Sequence, residues 1–330
     1  MIKSTLITAL TLSLFFLCTS CDKEEFTESP YIEGLSIDNY PIIDGSTSTL
    51  PLNTVITCEL LGLNYEWKDD TKGQSRTWSM EPKIKGSLKR KFDRVVKSSQ
   101  THNSYIDLID READIILTAR TMSPDEKAYA ESQGVTLIET PIAIDAFIFI
   151  VNPRNTIGAL TTEEIQGIYT GKITDWRELG LPSFNPSYEG PLSIVPYIRN
   201  PNSGSQELMD LLVMKDLEYY TQLPIYEETL VSSMLGLLDN IGSHEFAIGY
   251  TVYFFNEQIV RGGNWLKTIG IDGIHPNKLT ISNRSYPYTA DVYAVIRSDT
   301  DNSSMTYKIY EWLQTETGKQ AIRKSGYISN

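Results

Sequence analysis

Glu139-Thr140-Pro141-Ile142-Ala143-Ile144-Asp145-Ala146-Phe147-Ile148-Phe149-Ile150-Val151-Asn152-Pro153 is the stretch on which the fold turns. Residues 143–151 are apolar at nearly every position, and one acid, Asp145, interrupts them. An apolar run of that length predicts a strand buried in a sheet. Residues 113–117, 192–198 and 292–296 read the same way. Helical spacing occupies 52–63, 87–96, 105–111, 162–170, 206–214 and 305–315. Strands alternating with helices predict an α/β fold. Thr161 with Glu164, and Ser203 with Gln206, have the spacing of capping boxes at helix starts. Residues 64–82, polar and rich in Trp, Lys and Asp, read as a loop excursion, as do residues 181–190 with Pro182 and Pro186. No repeat of solenoid length is visible.

Toward the amino terminus, Lys3 precedes an apolar run over residues 6–18, followed by Thr19, Ser20 and Cys21. A basic start, an apolar core and small residues describe a secretory leader over residues 1–20. The run is too short for a permanent membrane span. A Cys directly after the small residues resembles the bacterial lipobox, which makes Cys21 the expected lipid attachment point. Cys18 departs from the usual Leu of that motif. The charged residues after Cys21 are expected to begin a tether over residues 21–31.

Composition narrows the function classes. A net charge of −13 argues against nucleic acid as a partner. Any anionic ligand must then be held by local donors against the long-range field. Beyond Cys21 the only cysteine is Cys58, expected as a small buried hydrophobe, so no disulfide and no cysteine zinc site is expected. Three widely spaced histidines, His102, His244 and His275, argue against a histidine metal site. No metal or cofactor is expected. Trp176, Trp312 and Tyr250 read as packing residues.

Three segments lead small hydroxyl or amide residues into a helix. They are Asp44-Gly45-Ser46-Thr47-Ser48-Thr49-Leu50-Pro51, Ser98-Ser99-Gln100-Thr101-His102-Asn103-Ser104 and Arg199-Asn200-Pro201-Asn202-Ser203-Gly204-Ser205. A helix start leaves backbone N–H groups unpaired and carries partial positive charge, which suits an anion. Hydroxyls add donors and Gly permits close backbone approach. Arg199 adds a planar fork able to reach two oxygens. Taken singly, each segment is also what an ordinary helix cap looks like.

The first and third segments, with Ala113-Asp114-Ile115, Ala119-Arg120, the opening quotation, Ile168-Tyr169-Thr170-Gly171-Lys172-Ile173-Thr174-Asp175-Trp176 and Ala247-Ile248-Gly249-Tyr250, resemble the phosphate-binding proteins of ABC phosphate importers. The resemblance covers nearly all of the chain after about residue 42; residues 64–82 look like an insertion. It implies an α/β, two-lobe periplasmic-binding-protein fold (type II) hinged by two crossing strands. Lobe one would be residues 32–144 plus 288–330 and lobe two residues 145–287, with the hinge near 141–145 and 286–291. By position, Thr47, Ser48, Thr101, Arg120, Arg199, Ser203, Gly204 and Ser205 would bind the anion. Ser205 stands where Thr is usual, and Arg120 where well-studied members carry an Asp that accepts the proton of hydrogen phosphate. Asp44 and Asp145 are candidate substitutes for that acceptor, and an ion pair with Asp114 or a neighbour is the plain structural alternative for Arg120.

The resemblance therefore implies a monomeric, lipid-anchored periplasmic or surface protein that binds phosphate or a similar oxyanion and serves an ABC permease and ATPase, not an enzyme. A surface interaction or phosphate-sensing protein without a transporter is the alternative. A phosphatase would need a nucleophile beside a base, or a metal cluster; His102 is the only histidine near the hydroxyl-rich segments.

Overall fold

A computed structural model describes residues 29–70, 77–180, 190, 192–223, 225–226, 233–261 and 265–330. The expected leader, Cys21 and nearly all of the 181–190 excursion lie outside the described residues.

The opening stretch is the axis of the molecule. Strand Leu137–Val151 runs longer than its apolar core predicted, and every residue from Ile142 to Val151 is buried. Its first part pairs antiparallel with Thr289–Arg297, from Arg297 opposite Leu137 to Thr289 opposite Ala146. Its last part pairs antiparallel with Ala247–Val252, from Val252 opposite Phe147 to Ile248 opposite Val151. One strand thus serves two halves of the sheet and changes neighbours between Ala146 and Phe147. On one side the sheet continues through Ile115–Thr118 to Ile43–Gly45. On the other it ends at Val195–Pro196. The register slips between Val292 and Tyr293, opposite Ala143 and Pro141. A proline has no N–H to give a ladder, and a bulge accommodates that loss.

Most of the described core forms one hydrophobic cluster. Phe147 packs edge-on to Phe149 at 5.4 Å and lies 5.1 Å from Tyr250, centroid to centroid. Trp176, Trp312 and Cys58 are buried as expected. Burial pushes the Cys58 thiol up to about 12, which keeps it protonated and unreactive at neutral pH.

The six expected helices form, with shifted ends. Helix Leu50–Leu60 starts two residues early with Pro51 in its first turn, and Thr101–Ile109 starts four early. The 206–214 helix is Gly204–Leu208 followed by a π-turn, Met209–Met214. The capping box at Thr161 forms, with Thr161 Oγ1 accepting from Glu164 N and Glu164 reaching back to Thr161 N. The one expected at Ser203 does not: Gln206 turns instead to Arg199 and Tyr250. The 192–198 run splits into Val195–Pro196, an edge strand where Pro196 is tolerated, and Ile198–Arg199, which pairs with Ile225–Tyr226 instead.

The described part of residues 64–82 is mostly strand rather than loop. Tyr65–Asp69 and Trp78–Pro82 pair as an antiparallel hairpin with Trp67 opposite Met80. Alternating half-buried and exposed residues in Tyr-Glu-Trp-Lys-Asp carry a strand period that the polar composition masks. The guanidinium of Arg261, just beyond the π-turn Phe255–Val260, lies 3.6 Å from the Trp78 ring centroid and 5.5 Å from that of Trp67. Ser29 N–H donates to Leu35 O, and Tyr31 packs against Trp312 at 5.5 Å.

Candidate functional site

The three hydroxyl-rich segments meet. Thr47, Ser48, Thr101, Arg120, Arg199, Ser203, Gly204 and Ser205 all line one cavity of ≈ 40 Å³. Ser46, Gln100, Ala119, Asn202, Leu208, Met234 and Val252 complete its wall.

The first segment leaves strand Ile43–Gly45 through a short 3₁₀ turn, Thr47–Thr49, into helix Leu50–Leu60. Gly45 is required: a Cβ there would stand 2.3 Å from the Leu117 carbonyl oxygen. That close approach lets Ser46 N–H and Thr49 Oγ1 both donate to Leu117 O, at 3.1 and 2.7 Å. Tyr327, near the carboxyl terminus, donates from its hydroxyl to Ser48 O at 3.0 Å.

The second segment is tied to the first by Asp44. This fully buried carboxylate accepts from Gly45 N, from Ser99 N at 2.8 Å and from Ser99 Oγ at 2.6 Å. Gln100 then takes φ 74°, ψ 164° before helix Thr101–Ile109 begins. Asp44 is therefore a brace between two cradle loops and does not line the cavity. Asp145 does not line this cavity either; it lies on strand Leu137–Val151, and its Oδ1 accepts from Ala146 N and from Phe254 N. Neither candidate proton acceptor reaches the site.

The third segment is held by partners the sequence reading did not assign. Arg199 N–H donates to Gln206 Oε1 and to the Tyr250 hydroxyl, each at 3.0 Å, and Arg199 Nη1 donates to Ser205 Oγ at 2.8 Å. The Tyr250 hydroxyl in turn donates to Gln206 Oε1. Burial pushes the Tyr250 hydroxyl far up, so it remains a neutral donor. The packing role expected for Tyr250 holds, and loop positioning is added to it. A Cβ on Gly204 would stand 2.5 Å from Thr101 Oγ1 and 3.2 Å from Thr101 Cβ, so the second and third segments are in contact.

Arg120 lines the cavity, but its terminal nitrogens are engaged. Nη1 and Nη2 donate to Glu126 Oε2 and Oε1 at 2.7 and 2.8 Å, in a fork on a carboxylate that is itself fully buried. Burial alone would lower the Arg120 pKa; the bonds and charge of Glu126 outweigh it and leave it raised. The ion-pair partner is thus Glu126, six residues on, and not Asp114, which accepts from Ile42 N. Arg120 Nε is buried with no hydrogen-bond partner among the described residues. His102 Nδ1 lies 3.1 Å from Glu126 Oε1, behind the pair.

The lining contains two arginines, hydroxyls and two amides, with no carboxylate and no imidazole. Its volume holds about three water-sized spheres at roughly 10–15 Å³ each. The arrangement suits holding a small anion through charge-assisted hydrogen bonds. Among the described residues no group of His, Cys, Asp and Glu is placed to hold a metal, and no helix is long and apolar enough to cross a membrane.

Residues 86–315 match the family model of the PBP superfamily domain. The chain belongs to that family. Among curated relatives, the phosphate-binding protein PstS of Borreliella burgdorferi is 24% identical over 224 residues, covering 67% of this chain and 74% of the relative. PstS of Staphylococcus epidermidis is 26% identical over 224 residues, covering 66% of this chain and 64% of the relative. Among solved structures, a Clostridium perfringens protein with bound phosphate superposes at TM-score 0.62 with 22% identity, over 88% of this chain and 100% of that one. An ABC-type phosphate transport receptor from Vibrio cholerae does so at 0.58 with 19% identity, over 88% and 100%. The mixed sheet with its shared strand is therefore the two-lobe fold of PBP superfamily members.

Proposed function

We propose that this PBP superfamily member is an extracytoplasmic solute-binding lipoprotein that captures phosphate, or a related tetrahedral oxyanion, and delivers it to an ABC importer without chemical change. One observation carries the reading: eight residues singled out in four separate parts of the sequence line a single cavity of oxyanion size. The relatives named PstS agree with it. Thr47, Ser48, Thr101 and Arg120 would hold the anion from lobe one, residues 32–144 plus 288–330. Arg199, Ser203, Gly204 and Ser205 would hold it from lobe two, residues 145–287. Closure would turn on the segments near 141–145 and 286–291, a hinge motion about a bound ligand.

Arg199 would carry the largest share, since its charge faces the cradle and Ser205 fixes its head. Arg120 would contribute the Nε donor left over after Glu126 takes the other two nitrogens. A hydrogen bond to a charged group contributes about 1.5–3 kcal/mol. A handful of them reaches the roughly −8 kcal/mol of micromolar affinity after association costs. Calorimetry with inorganic phosphate tests this. Arg199→Ala, with its fold checked by circular dichroism, should lose at least about tenfold in affinity; unchanged affinity refutes the assignment.

Membrane attachment rests on Cys21 alone. Labelled palmitate should enter the wild-type protein in bacteria and not Cys21→Ser, and equal labelling of the two removes the anchor.

A further inference from the structure

Beside the cradle lies a much larger chamber, ≈ 490 Å³, and Thr47 lines both. That volume is within the range of small-molecule sites, roughly 300–1,000 Å³. The hairpin Tyr65–Asp69/Trp78–Pro82 and helix Gly86–Val95 supply one side through Met80, Pro82 and Phe92. Leu235, Phe255 and Ile259, from the other half of the chain, face them. The two sides are joined where Arg261 stacks on Trp78. Besides Thr47, the polar residues in its lining are Thr54, Thr77, Ser79 and Glu81, with Lys89 paired to Asp93. Apolar side chains form most of the wall, and the acids Glu81 and Asp93 disfavour further negative charge, so the chamber suits an uncharged organic body.

The cradle itself adds an independent observation. Its lining holds two arginines and no carboxylate. Inorganic phosphate near neutral pH keeps a proton, and a carboxylate is the natural acceptor for it. A phosphate monoester places carbon on its fourth oxygen, carries about −1.5 to −2 charge at pH 7 and in its dianionic form has no proton to place. A cradle of donors next to an apolar chamber matches that distribution: charge at one end, an uncharged body at the other.

We infer that the site accepts phosphate monoesters, with the phosphoryl group in the Arg199–Thr101 cradle and the apolar body in the chamber walled by the hairpin and by Phe255. The inference rests on the proposed anion site and names a wider substrate class for it.

Calorimetry on the full-length protein in detergent, with inorganic phosphate and phenyl phosphate as probes, tests it. Phenyl phosphate should bind at least about tenfold tighter than inorganic phosphate, the effect expected of burying a ring. Val96 also lines the chamber on the side of Phe92, and Val96→Trp should fill it and abolish that advantage while leaving inorganic phosphate affinity unchanged; Leu235→Trp does the same from the facing side should the first variant not fold. A smaller advantage in the wild type, or an advantage that survives a folded chamber-filling variant, overturns the inference and leaves phosphate capture standing. Binding of neither probe overturns both.

Discussion

Gln100 stands at φ 74°, ψ 164°, a backbone region that only glycine enters without strain. The cost is about 1–3 kcal/mol. It is met by the two bonds from Ser99 to Asp44, which hold the loop whatever Gln100 prefers. Replacing Gln100 by Gly should relieve the strain and lose part of the gain to chain entropy, for a net stabilisation of about 1 kcal/mol. The urea midpoint should rise; a midpoint that stays or falls shows that the conformation is not strained. Much at this scale was legible in the sequence. Hydroxyls, glycines and helix starts lie consecutively, so Thr47, Thr101 and Ser203 announce themselves. The brace did not: Asp44 and Ser99 are 55 positions apart. Nor did the Arg120–Glu126 fork, because both are charged residues of a kind that usually face water.

Among elements, the crossing strand holds the most consequential side chain. Asp145 is buried where the strand changes neighbours, with Oδ2 unpartnered among the described residues. Phe254 and Tyr327 stack nearby at 3.7 Å, and a void of ≈ 10 Å³ adjoins them, room for about one water. Burial raises the carboxyl from its ordinary value to about 7, against two backbone bonds that lower it. Because the folded pKa is raised, the folded state binds the proton more tightly than the unfolded chain. Stability should therefore fall as pH rises from about 4 to about 7 and stay at the lower level above that. Asp145→Asn keeps an acceptor for Phe254 N–H and Ala146 N–H and carries no charge. It should stabilise the protein by roughly 2–4 kcal/mol at pH 8 and by little at pH 4. Thermal unfolding at both pH values decides, and an equal effect at the two would exclude ionisation as the cause. The strand itself was readable from its apolar run, whereas the hairpin over residues 64–82 was not. Its half-buried faces look polar because one side meets water and the other meets Arg261.

Taken as a whole, the molecule depends on contact between segments about a hundred residues apart. Gly204 and Thr101 touch so closely that a single methyl has no place between them. Gly204→Ala should hold the two segments apart, weaken phosphate binding by about tenfold and enlarge the radius of gyration in phosphate measured by X-ray scattering. Wild-type affinity with wild-type scattering would mean that Thr101 simply rotates away. The net charge of −13 sets the complementary condition. An anionic guest would have to be drawn in by a local cluster of donors, since the overall field repels it.

The alternation of buried strands with helices, the donor-rich helix starts and Arg199 beside Ser203 are properties of neighbouring residues, and the sequence by itself determined them. Which of those starts share a cavity was decided by the pairing of Leu137–Val151 with both Thr289–Arg297 and Ala247–Val252. So was the sequestering of Arg120 by Glu126, and so was the chamber behind Thr47. Helix-end chemistry acts over a few residues and leaves a local signature. Convergence depends on sheet register and burial, which sum contacts over the whole chain and leave none.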